Sequence, residues 1–402
     1  MKKILAVLLV VLLLAPMVMS CNNSGNKNQN PPASPPSSQP ADTPPAGGSP
    51  PASGGSKTLG WWPDALEASK NREKYTIAYV SIAMSDQLHS GVNEKLKEWA
   101  SKLNCDFVSY DANADRDALQ SGIETYAAQG LDGLVLDVDV SSQPPARATM
   151  DEYGTPWFPA MSPFMNNDNT LYTAPAAILD GYTCGRLQVD WMFDNYQSQL
   201  GVAAVDPSRI GYIFLDWSPH PDIHRRIVGA TERYTELYPK LVDSNWIGID
   251  VLPGGPANSE GAFNLVSAYL ATNGDKFDYW FIGSSTDEFA IGATRAVEQI
   301  GIDKRVMISA IMGDSIISEW NAGKTSAWKS IITVPIVALT EPMICSLLAI
   351  IDGRATFDTL LRDYVPAGQS FGIYEFAPQI FTFENKDEYF NSVDAWLAHK
   401  YP

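Results

Sequence analysis

Short apolar segments alternate with amphipathic segments along most of this sequence. Residues 75–84 have the composition of a buried strand, and residues 91–104 carry apolar side chains at helical spacing. Further strands are predicted at 105–113, 131–139, 209–217, 246–252, 277–283 and 305–311, and helices at 116–129 and from near 223, 259, 287 and 315. Because helical crossovers between parallel strands are right-handed and cover both faces of the sheet, the alternation predicts an α/β fold with parallel sheets.

The alternation occurs in two runs, on either side of a middle region at 153–199. The chain from residue 58 onward is longer than one domain usually is. We therefore predict two doubly wound parallel-sheet lobes joined by a hinge. Residues 58–183 would form mainly the N-terminal lobe and 184–333 mainly the C-terminal lobe. Residues 334–402 would cross back to the first lobe and end in a helix.

The N-terminus has the features of a secretory signal. Lys2 and Lys3 precede an apolar run at 4–19 that is short for a membrane span and ends at Ser20. Cys21 follows directly, as in the lipobox of bacterial lipoproteins, and this resemblance implies acylation of its thiol and anchoring to a membrane. The alternative is an ordinary signal peptide that a cysteine happens to follow. We expect a protein outside the cytoplasm, on the cell surface or in a periplasm.

Composition indicates a tether and excludes one class of partner. Residues 21–57 are rich in Asn, Pro, Ser, Ala and Gly, and such a segment cannot bury enough apolar surface to fold. The net charge of −18 argues against nucleic acid as a partner. Cys105, Cys184 and Cys345 lie in apolar surroundings without paired spacing. We interpret them as small buried residues, with one disulfide among them as the alternative.

Small polar residues follow several predicted strands. Ser284, Ser285, Thr286 and Asp287 end one of them. In an open parallel sheet the crevice lies beyond the carboxyl ends of the strands, where helix N-termini expose their N–H groups. Thr286 or Asp287 is a candidate N-cap, and capping alone is the alternative explanation. Other strand ends carry comparable candidate ligand residues, namely Asp86, Gln87, Asp137, Asp139, Asp216 and Asp314.

The sequence contains no pattern for nucleotide binding or acyl transfer, since GxGxxG, Walker A and GxSxG are absent. His220 and His224 are four residues apart, a spacing that suits metal ligands. Pro219 and Pro221 indicate instead that His220 precedes the helix, and no third ligand is near. We predict no metal, no cofactor and no enzymatic turnover.

Four segments resemble the type I periplasmic binding proteins in their order and spacing, namely 110–139, 224–239, 261–301 and 320–327. The first contains a QGxDG-type turn at Gly130, Asp132 and Gly133. The similarity covers about residues 74–385 and lies with the sugar-binding branch that includes ribose-, galactose- and arabinose-binding receptors. It implies two lobes joined by three hinge strands, which close around a sugar that is passed to an ABC importer.

The resemblance also suggests ligand contacts. Arg226, three residues before Gly229, falls where the family places an arginine that bonds sugar oxygens, with Arg225 as the alternative. On chemistry alone, Trp217 is a candidate stacking platform for a sugar ring, and Asp216 a candidate acceptor from its hydroxyls. Other aromatic residues compete as platforms, each with a place in the core as its alternative: Trp157, Phe158, Phe164 and Trp328.

Several positions depart from the family pattern. Thr286 stands at the position of a binding asparagine, and Met312 where an asparagine or aspartate is expected. Met161 and Ser162 occupy a place where a charged residue is usual. These departures indicate that the usual pentose or hexose contacts are not all made. Asp314, two residues beyond Met312, would compensate for that position if its loop is shifted.

These observations together predict an extracytoplasmic solute-binding lipoprotein, monomeric and without a cofactor. It would capture a carbohydrate or a similar small polar ligand and deliver it to the permease subunits of an ABC importer. Two alternatives stay open. One is a receptor that reports its ligand to a membrane sensor kinase or chemoreceptor, and the other is an exported enzyme.

Overall fold

The computed structural model of this protein describes residues 61–85 and 87–401. The predicted signal peptide, the anchor at Cys21, the tether and the candidate ligand residue Asp86 lie outside the described residues.

The first lobe is built on a four-stranded parallel sheet in the order β2-β1-β3-β4. Side chains of β1 and β3 are buried almost throughout, because helices cover both faces of the sheet. The elements of this part of the chain are α1 (Trp61–Ser69), β1 (Tyr75–Ser81), α2 (Gln87–Lys102), β2 (Cys105–Asp111), α3 (Arg116–Ala128), β3 (Gly133–Asp137), α4 (Gln143–Tyr153) and β4 (Trp157–Pro159).

The second lobe contains a six-stranded sheet in the order β12-β10-β9-β8-β6-β7, which is parallel except for β12 (Gln379–Thr382). Its central strands β6, β8 and β9 are buried along nearly their whole length. The elements from the middle of the chain onward are β5 (Ala176–Leu179), α5 (Gly181–Leu200), β6 (Ile210–Asp216), α6 (Pro221–Leu237), α7 (Val242–Asn245), β7 (Trp246–Asp250), α8 (Ser259–Asn273), β8 (Tyr279–Ser284), α9 (Asp287–Ile300), β9 (Val306–Ile311), α10 (Asp314–Asn321) and β10 (Trp328–Thr333).

The chain passes between the lobes three times in the described region. The first passage joins β5 to α5, and the second joins β10 to a long buried helix that packs on the first lobe. The third leaves a strand that pairs in parallel with β5 and enters β12, which pairs with β10. The remaining elements are α11 (Ile336–Ile351), β11 (Ile373–Phe376), β12 (Gln379–Thr382) and α12 (Val393–Lys400).

A buried carboxylate fastens the C-terminal helix to the first lobe. Glu341, in the middle of α11, is fully buried and accepts hydrogen bonds from three groups near the C-terminus. The donors are Trp396 Nε1 at 2.7 Å, Lys400 Nζ at 2.9 Å and the Tyr401 hydroxyl at 2.7 Å. Because an unpaired buried charge is costly, this cluster holds α12 in one position.

The α/β fold of two parallel-sheet lobes predicted from the sequence is confirmed, with element boundaries that differ by a few residues. The largest difference is at α2, which begins at Gln87 rather than near residue 91. Cys105, Cys184 and Cys345 are buried and unpaired, as their apolar surroundings predicted. None of the helices in the described residues has the length and apolar character needed to cross a membrane.

Candidate functional site

A cavity of about 270 Å³ lies where the carboxyl ends of strands from both sheets meet. Its first-lobe wall comes from the ends of β1, β3 and β4 and the first turn of α2. Its second-lobe wall comes from the ends of β6, β8 and β9 and the first turns of α6 and α9. This is the crevice that open parallel sheets form at their strand ends, and here two such crevices face each other.

The first-lobe wall presents Asp137, at the end of β3, with one carboxylate oxygen held by hydroxyl donors. Its Oδ2 accepts from the Tyr79 hydroxyl at 2.9 Å and from Ser81 Oγ at 2.7 Å. His89 Nε2, on the first turn of α2, lies 3.4 Å from the same oxygen. Ser81 ends β1 in register with Asp137, so the parallel pairing itself brings the hydroxyl to the carboxylate.

Asp139 lies on the same wall and accepts hydrogen bonds from three nearby side chains. It accepts from Ser141 Oγ at 2.7 Å and from Arg116 Nε at 2.9 Å, and also from the Ser142 hydroxyl. Partial burial acts to raise the pKa of Asp139, but these hydrogen bonds and the Arg116 charge together hold the pKa below its usual range. Asp139 is therefore ionised at neutral pH.

Arg226 lines the cavity from the second lobe, at a place where α6 packs closely on α5. A Cβ on Gly185 would lie 1.9 Å from the Arg226 carbonyl oxygen, and one on Gly229 would lie 2.1 Å from the Tyr182 carbonyl oxygen. The Arg226 side chain is 7% exposed, and its Nη1 donates to the Ser285 carbonyl oxygen. Its Nε is buried without a hydrogen-bond partner in the described chain. That N–H therefore has unused hydrogen-bonding capacity.

Trp217 follows β6 and forms part of the same wall. Its ring centroid is 5.4 Å from that of His220, and its buried Nε1 has no acceptor among the described residues. Ser285, which is fully buried after β8, likewise has an Oγ without a partner there. Buried polar groups usually have hydrogen-bond partners, so these two groups keep unused hydrogen-bonding capacity.

The two histidines near the start of α6 have structural partners. His220 is the N-cap, and its ring accepts weakly from the Ile223 N–H at 3.4 Å. His224 Nδ1 lies 2.6 Å from Oδ2 of Asp216, which is 3% exposed. Burial lowers the pKa of His220 and raises that of Asp216. In residues 61–85 and 87–401 no group of three His, Cys, Asp or Glu side chains could hold a metal ion.

The first turns of α9 and α10 bring two carboxyl groups near each other. Thr286 is the N-cap of α9, with its Oγ accepting from the Phe289 N–H at 3.4 Å, and Asp287 is the first helical residue. Asp314 begins α10 and is 9% exposed. Burial and the charge of Asp287 raise the pKa of Asp314 to about 8. Its Oδ2 finds no partner within the described chain.

Methionines in the left-handed backbone region follow a strand in each lobe. Met161, two residues after β4, has φ 57°, and Met312, directly after β9, has φ 69°. Both line the cavity. Residues other than glycine rarely adopt this backbone conformation, and backbone strain of this kind is concentrated at functional sites. The turn at Met312 carries the chain into α10 and so sets the position of Asp314.

A larger and more open depression, of about 620 Å³, lies elsewhere on the first lobe. Gln143, Arg147 and Asp151 of α4 and the loop at 165–168 line it. All of its lining residues belong to one lobe, so it does not share the two-walled geometry of the strand-end cavity.

Residues 77–354 match the profile of the periplasmic binding protein domain family. The chain belongs to this family. A comparison with curated proteins returns no match.

Solved structures of similar shape include several periplasmic binding proteins. One is an ABC transporter periplasmic solute binding protein from Actinobacillus succinogenes 130z with bound D-allose, at 17% identity over 79% of this chain and 100% of that one, with a TM-score of 0.60. Another is the periplasmic binding protein component of the arabinose ABC transporter from Shewanella sp. ANA-3, at 14% identity over 81% and 98%, with a TM-score of 0.59. A third is a solute binding protein from Bacillus halodurans C-125 with bound myo-inositol, at 17% identity over 79% and 98%, with a TM-score of 0.57. At these identities the likeness is one of fold.

In this periplasmic binding protein, six of the candidates from the sequence line the strand-end cavity. They come from both lobes and from four different strand ends or following helices: Asp137, Asp139, Trp217, Arg226, Thr286 and Asp287. The positions at which the sequence departs from the sugar-binding pattern, Met161, Ser162 and Met312, line it as well.

Four other candidates do not line this cavity. Gln87 is the exposed first residue of α2. Asp216 faces His224, and Arg225 makes an ion pair with Glu375 of the hinge strand β11 at 2.6 Å. Asp314 is buried and is not among the residues that line the cavity. The alternative platforms Trp157, Phe158, Phe164 and Trp328 are buried in the lobe cores.

Sequence reasoning missed several lining residues that lie on the first turns of helices. His89 is one, because a predicted helix start near residue 91 placed it in a loop. Asp222, Glu288 and Phe289 are others. The sequence did contain a signal for these residues, since each lies within about one turn of the start of a helix that follows a strand of a parallel sheet.

Proposed function

We propose that this protein is an extracytoplasmic solute-binding lipoprotein that captures a carbohydrate or similar small polar ligand between its lobes and delivers it to an ABC importer. Binding rather than turnover is its activity. The observation that carries the proposal is the strand-end cavity, which two lobes enclose and which is lined by Arg226 and Trp217, two residues whose buried N–H groups have no acceptor in the described chain.

The size and chemistry of the cavity suit a ligand of this class. Ligand sites are concave, mostly apolar, and carry a few convergent polar groups that set orientation. Here Leu88, Phe289 and Leu339 supply apolar surface, and Trp217 offers an aromatic face. A guanidinium suits paired hydroxyls, and an indole suits the apolar face of a sugar ring.

The three passages between the lobes support capture by closure. A ligand that contacts both walls binds more tightly when the walls approach, so its differential affinity shifts the population toward a closed form. A permease could then distinguish the closed form from the open one. The similar structures from Actinobacillus succinogenes and Shewanella, which are named as ABC transporter components, make an importer the natural partner.

The membrane anchor of the proposal rests on the sequence of residues 1–57. The signal-like run, Cys21 and the Pro- and Ser-rich tether would hold the folded part near the membrane that carries the permease. Radiolabelled palmitate incorporated into the wild-type chain but not into Cys21→Ala would support this arrangement. Equal labelling of both would contradict it.

Ligand capture is tested by a thermal-shift screen of the purified full chain against monosaccharides, oligosaccharides, polyols and nucleosides. A ligand at 100 times its dissociation constant should raise the free energy of unfolding by about 2.7 kcal/mol. Recovery of unchanged ligand after long incubation separates binding from catalysis. If no sugar or polyol shifts the melting temperature, or if the ligand is converted, the proposal fails.

Delivery is tested in cells. Deleting the gene for this chain should abolish uptake of the labelled ligand identified in the screen, and restoring it should recover uptake. Preserved uptake together with a lost transcriptional or motility response to the same ligand would assign the protein to a sensor or chemoreceptor pathway instead.

A further inference from the structure

A second cavity, of about 510 Å³, adjoins the strand-end cavity, and we call it the outer cavity. The two cavities share three lining residues, Asp139, Trp217 and His220, so they form one continuous space. Both lobes contribute to the other walls of the outer cavity, which include Arg116, Ser141, Asn166, Asn167, Asn169 and Pro219.

The sizes of the two cavities bear on the length of the ligand. The strand-end cavity, of about 270 Å³, lies just below the range of about 300–1,000 Å³ that is usual for small-molecule sites. The outer cavity brings the joined space well inside that range. We therefore expect the strand-end cavity to accept one sugar ring, and the joined space has room for a second ring.

The loop between β4 and β5, which carries the three asparagines of the outer cavity, is fixed to the fold near both of its ends. Gln143, which is 2% exposed, donates from Nε2 to the Pro163 carbonyl oxygen at 3.1 Å, and its Oε1 accepts from the Met165 N–H at 2.8 Å. Gln369 Oε1 accepts from the Tyr172 N–H at 2.8 Å. Because these bonds join distant parts of the chain, this wall has its shape before a ligand binds, which lowers the entropy cost of binding.

The charges on the outer cavity balance within the protein. Arg116 and Asp139 are the only lysine, arginine or acidic residues among its described lining residues, and Arg116 Nη2 lies 2.7 Å from Asp139 Oδ2. Burial lowers the pKa of His220, so its ring is neutral at neutral pH. The exposed Asn167 and Asn169 offer amide groups, which both donate and accept hydrogen bonds. A neutral unit that carries several hydroxyls suits these walls better than a charged unit does.

An aromatic pair lies where the two cavities join. Trp217 and His220 line both cavities, and their ring centroids are 5.4 Å apart. Aromatic rings offer large apolar surfaces, and a sugar ring has an apolar face that can pack on such a surface. Trp217 is therefore placed to contact a ligand that extends from one cavity into the other.

We propose that the ligand is a neutral disaccharide or longer oligosaccharide, with one ring in the strand-end cavity and the next ring in the outer cavity. This inference rests on the proposed function of ligand capture and specifies its substrate class. The glycosidic bond would pass Trp217, and the hydroxyls of the second ring would bind the amides of the loop between β4 and β5.

Matched sugars test the requirement for a second ring. Isothermal titration of the full chain compares D-glucose with cellobiose and maltose, D-galactose with galactobiose, D-xylose with xylobiose, and L-arabinose with arabinobiose. Methyl glycosides of the same sugars are the control, because they carry a substituent at the anomeric carbon but no second ring. At least one disaccharide should bind about tenfold or more tightly than both its monosaccharide and its methyl glycoside.

Variants locate the site of the second ring. Asn167→Trp places a large side chain at the outer cavity and should reduce the preference for the disaccharide by about tenfold, with monosaccharide affinity within about threefold of wild type. Asn167→Ala removes the amide without added bulk and should reduce the preference by about threefold. Asn391→Trp, at an exposed position before α12 that lines neither cavity, is the matched control and should keep the preference. Circular dichroism melts of all three variants establish that the fold is retained.

The outcomes separate the two proposals. If every monosaccharide binds as tightly as its disaccharide, or if nucleosides bind and disaccharides do not, the oligosaccharide inference is overturned and ligand capture stands. If both Asn167 variants keep the full preference for the disaccharide, the second ring does not lie in the outer cavity, and the inference is wrong. If none of these compounds binds, the proposed function fails, and the inference fails with it.

Discussion

The two walls of the strand-end cavity differ in how their polar groups are satisfied. On the first-lobe wall, Asp137 and Asp139 accept hydrogen bonds from neighbouring hydroxyls and from Arg116. Of the second-lobe residues that line the cavity, Trp217 and Arg226 have buried atoms, Nε1 and Nε, without a partner in the described chain. Three buried groups of the same lobe that do not line it also have none there: Asp216 Oδ1, Ser285 Oγ and Asp314 Oδ2. The first wall is organised before a ligand arrives, whereas the second retains polar capacity that a ligand can use.

This difference indicates where binding energy is expected to arise. A group that is already satisfied gains little from a ligand, because a new hydrogen bond replaces an existing one. A buried and unsatisfied group recovers its desolvation cost when the ligand pairs with it. The second lobe should therefore dominate ligand affinity, and the first lobe should contribute shape and local stability.

The largest expected effect concerns the pH dependence of stability on the second-lobe side. The pKa of Asp314 is about 8 in the folded chain and near 4 when unfolded, so the folded state binds the proton more tightly. Stability is therefore lost as the pH rises from about 4 to about 8, by at most about 1.4 kcal/mol per pH unit. Urea unfolding of the unliganded protein at several pH values should show this slope, and Asp314→Asn should flatten it.

The exposed Asp243→Asn, also in the second lobe, is the control for Asp314 and should keep the wild-type slope. If Asp314→Asn has the same dependence of stability on pH as the wild type, burial does not raise the pKa of this carboxyl group. The contrast between the two walls would then be weaker than we infer.

Next in size is the effect of Arg226→Ala on ligand affinity. Loss of a hydrogen bond from a charged group in a buried site costs about 1.5–3 kcal/mol, which corresponds to about 10- to 100-fold weaker binding by titration calorimetry. The melting temperature should also fall by a few degrees, because the contact with the Ser285 carbonyl is lost. Arg295→Ala, exposed on α9, should leave affinity unchanged. Equal affinities in wild type and Arg226→Ala would remove the main support for the second-lobe site.

Trp217→Phe sharpens the comparison further, since it keeps an aromatic face and removes one unsatisfied donor. We expect binding weaker by about fivefold, the worth of one neutral hydrogen bond. Trp217→Ala should weaken it further through loss of the ring. Titrations in which all three proteins bind alike would exclude this side chain from the ligand contacts.

The smallest effect on affinity is expected from the first wall. Ser81→Ala removes one of the two hydroxyl donors to Asp137, which should lower the free energy of unfolding by about 1–3 kcal/mol. Ligand affinity should stay within about threefold of wild type, because the Tyr79 hydroxyl still orients the carboxylate. A loss of affinity larger than that of Arg226→Ala would reverse the assignment of roles to the two walls.

The fold was predictable because its signals are local. Buried strands such as β6 and amphipathic helices such as α9 differ in hydrophobic period, and their alternation permits few topologies. A helix N-cap at Thr286 or Asp287 is predictable for the same reason, since capping depends on residues only three apart, and the structure places it at Thr286. The family membership inferred from four spaced segments is confirmed by the match over residues 77–354.

The site was only partly predictable, because the direction of a side chain depends on contacts between distant segments. Arg225 and Arg226 are neighbours in sequence, yet one pairs with the hinge strand and the other lines the cavity. The position of α6, which carries both arginines, depends on its close contact with α5 at Gly185 and Gly229. No local pattern encodes that approach.

The sequence by itself determined the order of strands and helices, the family, and the edge of each sheet at which a ligand site would lie. These follow from hydrophobic period and from the directionality of parallel strands. Only the tertiary structure decided which polar groups are satisfied within the protein and which are left for a ligand. A hydrogen bond requires two groups within about 3 Å, and in this cavity the partners come from segments far apart in the chain.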